Sequence, residues 1–589
     1  MAGSVVAIRS KYQSYTDNLA REIGTLYSKW ANERQTKVDE WLELRNYIFA
    51  TDTRTTSNSD NPWKNSTTTP KLCQIRDNLH SNYISALFPN DRWFTWEGYD
   101  YNDEVQEKAQ AITAYMTNKI IESGFRDIAS SLAYDYIDFG NAFATVEYEN
   151  NVYDNGEGET LTGYVGPRAV RISPLDIVFN PLAVSFEKSP KIIRKILTIG
   201  EIAKLAKTSD EWAAALKRTL DLRGLCGEAR INDFNKAVAM DVDGFGSFYE
   251  YLGSEYVEVL TFYGDYYDSK TNTYYDNSEI TIIDRSLLVK SGKITSWIGK
   301  ANIAHVGWRK RPDNLYGMGP LDNLVGMQYR LDHLENLKAD AQDLAVHPVL
   351  KVVGDVDSFT WQPGEAIYMS GEGDVIELGL GLSGVISAQN EIDILLARME
   401  EMAGAPKQAM GIRTPGEKTA FEVQSLDNAA GRIFQEKVVN FETNLIEPIL
   451  NMMLAVARQN IDGMDVARVY DDDLGVMGFL SITKDDITAR GSLRPIGARH
   501  FAQQAQLLQN LNQLFLGGMA DMIKPHISGK QLARVVEDSL QLSRFNVVRP
   551  NVAVAETIET QKLVSAAQEQ AMVEQSTPVP GQGAPNGGQ

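Results

Sequence analysis

The stretch Pro312–Lys351, PDNLYGMGPLDNLVGMQYRLDHLENLKADAQDLAVHPVLK, constrains the fold more than any other part of the chain. Between Pro320, suited to a first helical position, and His347, which precedes a second proline, about 26 residues contain no proline and one glycine, Gly326. The spacing predicts one long helix. Its apolar residues, Leu321, Leu324, Met327, Leu331, Leu334, Leu337, Ala341 and Leu344, recur in steps of three and four, leaving Asp322, Arg330, Asp332, Glu335, Lys338 and Asp340 for other faces. At ~1.5 Å per residue the helix is roughly 40 Å long, the length of a small domain, so it must join two bodies or pack beside copies of itself.

The 589 residues imply three or four structural units, each with enough apolar content for a core. A formal net charge of −21 argues against stable binding of nucleic acid over a large face, which needs cations to neutralise phosphates, but leaves transient passage along a like-charged surface open. Cys73 and Cys226 are too few for a disulfide framework or a thiolate metal site and fit a reducing compartment. The first residues, MAGSVVAIRSKY, form only a short, weakly apolar run, with Ala2 where myristoylation requires glycine. No run reaches the ~18 apolar residues a membrane span needs. An intracellular soluble protein is expected.

The chain from Tyr15 to Ile48 reads as one amphipathic helix or a pair, and a polar loop follows it. The Asn65-Ser66-Thr67 sequon in that loop is read as chance. Helical spacing returns from Pro70 to Leu87, and Phe88, Trp93, Phe94 and Trp96 then cluster as core or interface. Two helices are expected between Asp103 and Phe139. After Gly140 the period changes to short alternating runs broken by Gly, Asn and Asp, a mixed or antiparallel β region with helices near Ile199–Lys207 and Asp210–Leu222. Strand-like segments recur from Val349 to Leu382, followed by a helix carrying Ile392, Leu395, Leu396, Met399 and Met402. Helix, small β unit and returning helix make a protruding arm, unlike the βα alternation of a nucleotide-binding enzyme. A very long helix is expected from Thr419 to Gln459, kinked at Pro448, then an acidic loop from Asp462 to Asp486 and two further helices.

This order of parts resembles the portal, or head-to-tail connector, proteins of tailed bacteriophages, specifically the short-tailed podovirus type. Three segments carry the resemblance: the Tyr316-Gly317 turn and helix with Leu334, Glu335, Asn336 and Leu337; the element Thr419, Ala420, Glu422 opening a long helix that runs to Pro448; and the segment around Gly497 and Arg499. Met318 stands where relatives often carry arginine, so no charge role is assigned to the turn.

The resemblance implies a mixed α+β protomer with wing, helical stem, small β clip and helical crown, assembling as a ring, typically a dodecamer. It assigns 1–311 and 419–489 to the wing, 312–347 and 387–404 to the stem, 348–386 to the clip, 405–418 to a tunnel loop, 490–555 to the crown and 556–589 to a tail, disordered at its end. It implies a virion location at one capsid vertex, after assembly in the host cytoplasm. The implied partners are major capsid and scaffolding proteins, a terminase motor, tail adaptor proteins and double-stranded DNA in transit, with no membrane and no cofactor. Lys407, Arg413 and Lys418 would touch DNA from the tunnel loop, weakly enough to allow sliding. The apolar stripe of Leu324, Leu331, Leu334 and Leu337 is expected to pack between neighbouring stems.

Two strings suggest enzymes instead. GLGLSG at Gly379–Gly384 fits G-x-G-x-x-G, but the acidic residues some twenty positions on, Glu400 and Glu401, fall in a helix rather than at a strand end. GIRTPGEKT at Gly411–Thr419 imitates a P-loop with Glu417 where the phosphate-binding lysine belongs. His80, His305, His333, His347, His500 and His526 show no metal-ligand spacing, and Asp471–Asp473 reads as a solvated loop. The reading is a structural conduit without catalytic or metal residues. A nucleotide-binding enzyme using Gly411–Thr419 and a cellular oligomeric adaptor are the alternatives.

Overall fold

A computed structural model of the chain describes residues 17–49, 65, 67–89, 93–99, 103–156, 160–226, 238–240, 256–268, 270–346, 349–354, 368, 374–378, 383–404, 433–461, 463, 465–471 and 476–496. The chain is a mixture of helix and strand and divides into two compact units, Met1–Gly463 with Thr483–Arg499, and Met464–Ile482 with His500–Gln589. Among the described residues no helix is long and apolar enough to cross a membrane.

The first unit opens on a pair of helices, α1 (Asn18–Glu33) and α2 (Gln35–Ile48). Arg34 separates them, and its buried guanidinium donates to the carbonyls of Pro174, Leu175 and Ile177 at 2.7, 2.5 and 2.5 Å. The break therefore also pins the pair to the sheet region. Next come α3 (Lys71–Leu87), β1 (Phe94–Gly98), α4 (Asp103–Glu122) and α5 (Phe125–Asp138). Trp93 packs against Phe88, Phe94 and Phe125 with ring centroids 4.8, 4.9 and 5.9 Å away, so the aromatic cluster is core.

Beyond Gly140 lie β2 (Asn141–Asp154), β3 (Thr160–Ile172), β4 (Ile177–Phe179), β5 (Lys191–Thr198), the helices α6 (Ile199–Ala206) and α7 (Asp210–Cys226), then β6 (Tyr256–Asp268), β7 (Thr273–Ile283), β8 (Leu287–Lys293), β9 (Ile303–Gly307), β10 (Arg309–Arg311) and β11 (Asn314–Met318). Strands β4 to β8 form a five-stranded sheet in sequence order, and β3, β2 and β9 a three-stranded one. All these pairings are antiparallel. The two-residue period of β6 shows which layer each face meets. Leu260 and Phe262 pack with Ala20, Ile23 and Tyr27 of α1, while Val257 and Val259 pack with Ile202 of α6 and Ala215 and Leu222 of α7. A capping box between Thr198 and Glu201 starts α6 where β5 ends.

The arm follows: a 3-10 turn (Asp322–Leu324), α8 (Val325–Val346), the antiparallel pair β12 (Val349–Val353) and β13 (Asp374–Leu378), and the returning α9 (Ser383–Met402). α9 starts four residues before the expected Ser387 and contains the end of the GLGLSG string. The long helix expected to kink at Pro448 is described from residue 433 and answers the proline differently. A π turn (Glu442–Ile446) precedes α10 (Glu447–Asn460), with the Glu447 N–H bonded to the Glu442 carbonyl. Widening the turn by one residue relieves the clash of the proline ring with the carbonyl four positions back. β16 (Gly491–Pro495) then pairs with β1.

In the second unit, β14 (Asp465–Asp471) and β15 (Val476–Ile482) pair antiparallel from Asp465↔Ile482 to Asp471↔Val476. This corrects the acidic-loop expectation for Asp462–Asp486, because DVARVYD and VMGFLSI carry β-branched and aromatic residues that outweigh the aspartates between them.

Candidate functional site

The arm leaves the body through a closely packed backbone crossing at the Tyr316-Gly317 turn. A Cβ on Gly317 would lie 2.6 Å from the Gly140 carbonyl oxygen and 2.8 Å from Gly307 Cα, so only glycine fits. The buried side chain of Asn141 reads both polar groups of Gly317: Oδ1 accepts from its N–H at 2.7 Å and Nδ2 donates to its carbonyl at 3.2 Å. His305 Nε2 lies 3.2 Å from the same Oδ1 and donates to it as a neutral imidazole. The ring stacks on Phe143 at 4.5 Å, and burial, then the charges of Lys191 and Lys310, push its pKa down to about 3. Tyr316 stacks on Phe179 at 4.4 Å. One residue pair further on, Lys37 meets Asp322 at 3.0 Å, while Asp322 also accepts from the Gly319 N–H at the start of the 3-10 turn. The arm's root is therefore fixed from several elements at once.

Along α8 the side chains of Gln328, Asp332, Asn336 and Asp340, spaced four apart, receive an extended strap made of Asn65 and Thr67–Thr69. Asp340 Oδ1 accepts from the Asn65 N–H at 2.6 Å, and Asp343 accepts from the Asn65 side-chain amide at 2.7 Å. Asn336 Oδ1 accepts from the Thr67 N–H at 2.8 Å while its Nδ2 donates to the Thr67 carbonyl at 2.9 Å. Asp332 accepts from the Thr69 N–H at 2.9 Å, and Gln328 donates to the Thr69 carbonyl at 2.6 Å. The register is physical: four helical residues rise ~6.0 Å and two extended residues ~6.6 Å. Gln328, Asp332 and Asn336 are 1, 2 and 1% exposed. Burial raises the pKa of Asp332 against the hydrogen bonds it accepts. At the strap's end Lys71, the first residue of α3, meets Glu400 of α9 at 2.5 Å with both side chains buried. The segment thus ties both arm helices to the body.

Placement of the expected contact residues is mixed. Leu324, Leu331 and Leu334 are 0, 0 and 5% exposed, already covered within their own chain, whereas Leu337 is 46% exposed. The stripe expected to face neighbouring stems is thus largely an internal anchor. Asp332, assigned to an outer face, is buried under the strap, and Asn65 is a strap residue rather than a chance sequon alone. The apolar surface left open lies elsewhere on the arm: Tyr329 on α8, Ile386 and Ile394 on α9, and Val352, Val353 and Ile376 on the hairpin are all exposed. Val353 lies on the same hairpin face as Ile376 and Val352 on the other, so both faces of this two-stranded sheet carry exposed aliphatic side chains.

Lys407, Arg413 and Lys418, the whole Gly411–Thr419 string, and the crown beyond residue 496 lie outside the described residues. Sequence reading passed over Arg309, Lys310 and Arg311 on β10, which make no ion pair with another described residue. Arg309 lies 5.1 Å from the Trp308 ring centroid and Lys437 5.2 Å from it. The string WRKR was the available signal. Among the described residues no group of three or more His, Cys, Asp or Glu is placed to hold a metal ion. No protein-family model and no curated protein matches the chain.

Proposed function

We propose that this chain is one subunit of a portal-type ring, at a single vertex of a tailed-phage capsid, through which double-stranded DNA is packaged and ejected and to which tail adaptors attach. The observation that carries the reading is the arm: two helices joined by a two-stranded hairpin, with apolar side chains open to solvent on both helices and both hairpin faces. A lone two-stranded hairpin is marginal in water. Aliphatic residues on both of its faces call for neighbours, and side-by-side packing of identical arms supplies them in a heterologous contact that a rotation closes into a ring. The terminase motor and later the tail would engage the hairpin end of the assembled arms.

In this reading Lys407, Arg413 and Lys418 make weak phosphate contacts, and the basic row Arg309, Lys310 and Arg311 is a second place for them. The chain's net charge of −21 keeps DNA from sticking. Negative-stain imaging of the purified chain tests the proposal. Closed rings with a central hole are expected; monomers across a range of salt and protein concentrations would overturn it.

A further inference from the structure

Among the described side chains, the close apolar anchoring of α8 ends at Leu334. Leu331 and Leu334 are buried, and Leu337, the next residue of the stripe, is half-exposed. From Asn336 outward the helix is held to the strap by hydrogen bonds, Asn336 to Thr67 and Asp340 and Asp343 to Asn65, with one exposed bond to α9, from Lys338 to Gln389 at 3.0 Å. The strap brings no apolar anchor of its own: its described residues are one asparagine and three threonines, and Thr67 is exposed. Lifting it would uncover the polar side chains of Gln328, Asp332 and Asn336, which water can solvate. Release would stop at Lys71, whose buried pairing with Glu400 keeps the root of α3 on α9.

We infer that the strap is a releasable clasp on the arm: seated, it stiffens the outer half of α8, and lifted, it frees that half while the leucine-anchored inner half stays docked. A free outer half changes the direction in which the hairpin is presented, whether or not copies of the chain assemble. Such a segment, held by exchangeable polar contacts beside a packed core, is where local opening is least costly.

Hydrogen–deuterium exchange on the full chain tests this with a variant outside the helix. Thr67→Pro deletes the N–H that Asn336 reads and leaves the sequence of α8 intact. Amides of residues 335–346 should exchange about five- to tenfold faster, with 325–334 and α5 unchanged. Unchanged exchange in 335–346, or an equal rise in α5, would overturn the inference. A second variant, Thr67→Cys with Asn336→Cys, closes the clasp covalently when oxidised. Exchange in 335–346 should then fall below the wild-type rate; a rate as fast as in Thr67→Pro would show that the strap does not control the outer half.

Discussion

Asn336 holds both main-chain polar groups of Thr67, accepting from its N–H at 2.8 Å and donating to its carbonyl at 2.9 Å. The same device recurs twice: Asn141 reads Gly317, and Asn451 accepts from the Leu493 N–H at 2.8 Å and donates to its carbonyl at 3.0 Å. In each case an asparagine amide replaces a strand neighbour for one residue of extended backbone, satisfying groups that would be costly to leave unpaired. The three clamps fix the strap, the root of the arm and strand β16.

Replacing Asn336 by aspartate keeps the acceptor, removes the donor and sets a third carboxylate between Asp332 and Asp340. Asn336→Asp should lower unfolding stability by about 1–3 kcal/mol in urea titrations at neutral pH. An unchanged midpoint would show that the clamp contributes nothing.

The backbone crossing at the arm's root predicts opposite outcomes for two glycines. Gly317→Ala forces a Cβ against the Gly140 carbonyl and should cost about 2 kcal/mol or more. Gly326→Ala, in the first turn of α8 with nothing within 4 Å of the added carbon, should stabilise by about 0.5–1 kcal/mol. Thermal melts of the two variants should move in opposite directions.

His305 makes stability depend on pH. Its pKa falls from 6.5 in the unfolded chain to about 3 in the folded one, so between these values the unfolded state binds the extra proton. Stability is full above pH 6.5 and declines as the pH falls toward 3. At pH 5.5 the loss should be about 1 kcal/mol relative to neutral pH. His305→Phe, which has no proton to take up, should remove that part of the pH dependence in denaturant titrations at pH 7.5 and 5.5, whatever its own baseline stability.

The buried pair Lys71–Glu400 should be more sensitive to loss of one partner than of both. Lys71→Ala leaves a carboxylate without its ammonium in a dry site and should destabilise by about 2–4 kcal/mol, while Lys71→Met with Glu400→Leu should recover much of it. Equal losses in the single and double variants, measured by urea unfolding, would contradict the coupling.

The existence of α8 was legible in sequence because a three-four apolar period with few breakers is a local signal, but the α-helix runs 22 residues from Val325, after a 3-10 turn, rather than about 26 from Pro320. What covers the stripe was not. Leu331 and Leu334 are buried within their own chain, and no period reports that. The polar ladder was half visible, since Gln328, Asp332, Asn336 and Asp340 recur every fourth residue, but the strap that fills it lies 259 to 275 positions away. Pro448 was correctly seen to disturb its helix, yet a kink and a π turn relieve the same clash, and the local sequence does not choose between them. In β14 and β15, a count of acidic residues hid a two-strand pattern. The mixed α+β character followed from the change of period at Gly140, which the backbone crossing there makes abrupt.

The central claim, that the open apolar face of the arm joins copies into a ring, is tested most directly by sedimentation velocity on the wild-type chain and on Leu337→Asp with Ile394→Asp. Both positions are exposed in the single chain, at 46 and 51%, so the double variant should fold with an unchanged circular dichroism spectrum. The account predicts one large closed species for wild type and a monomer for the variant. A wild-type monomer, or a variant that assembles as wild type does, would contradict it.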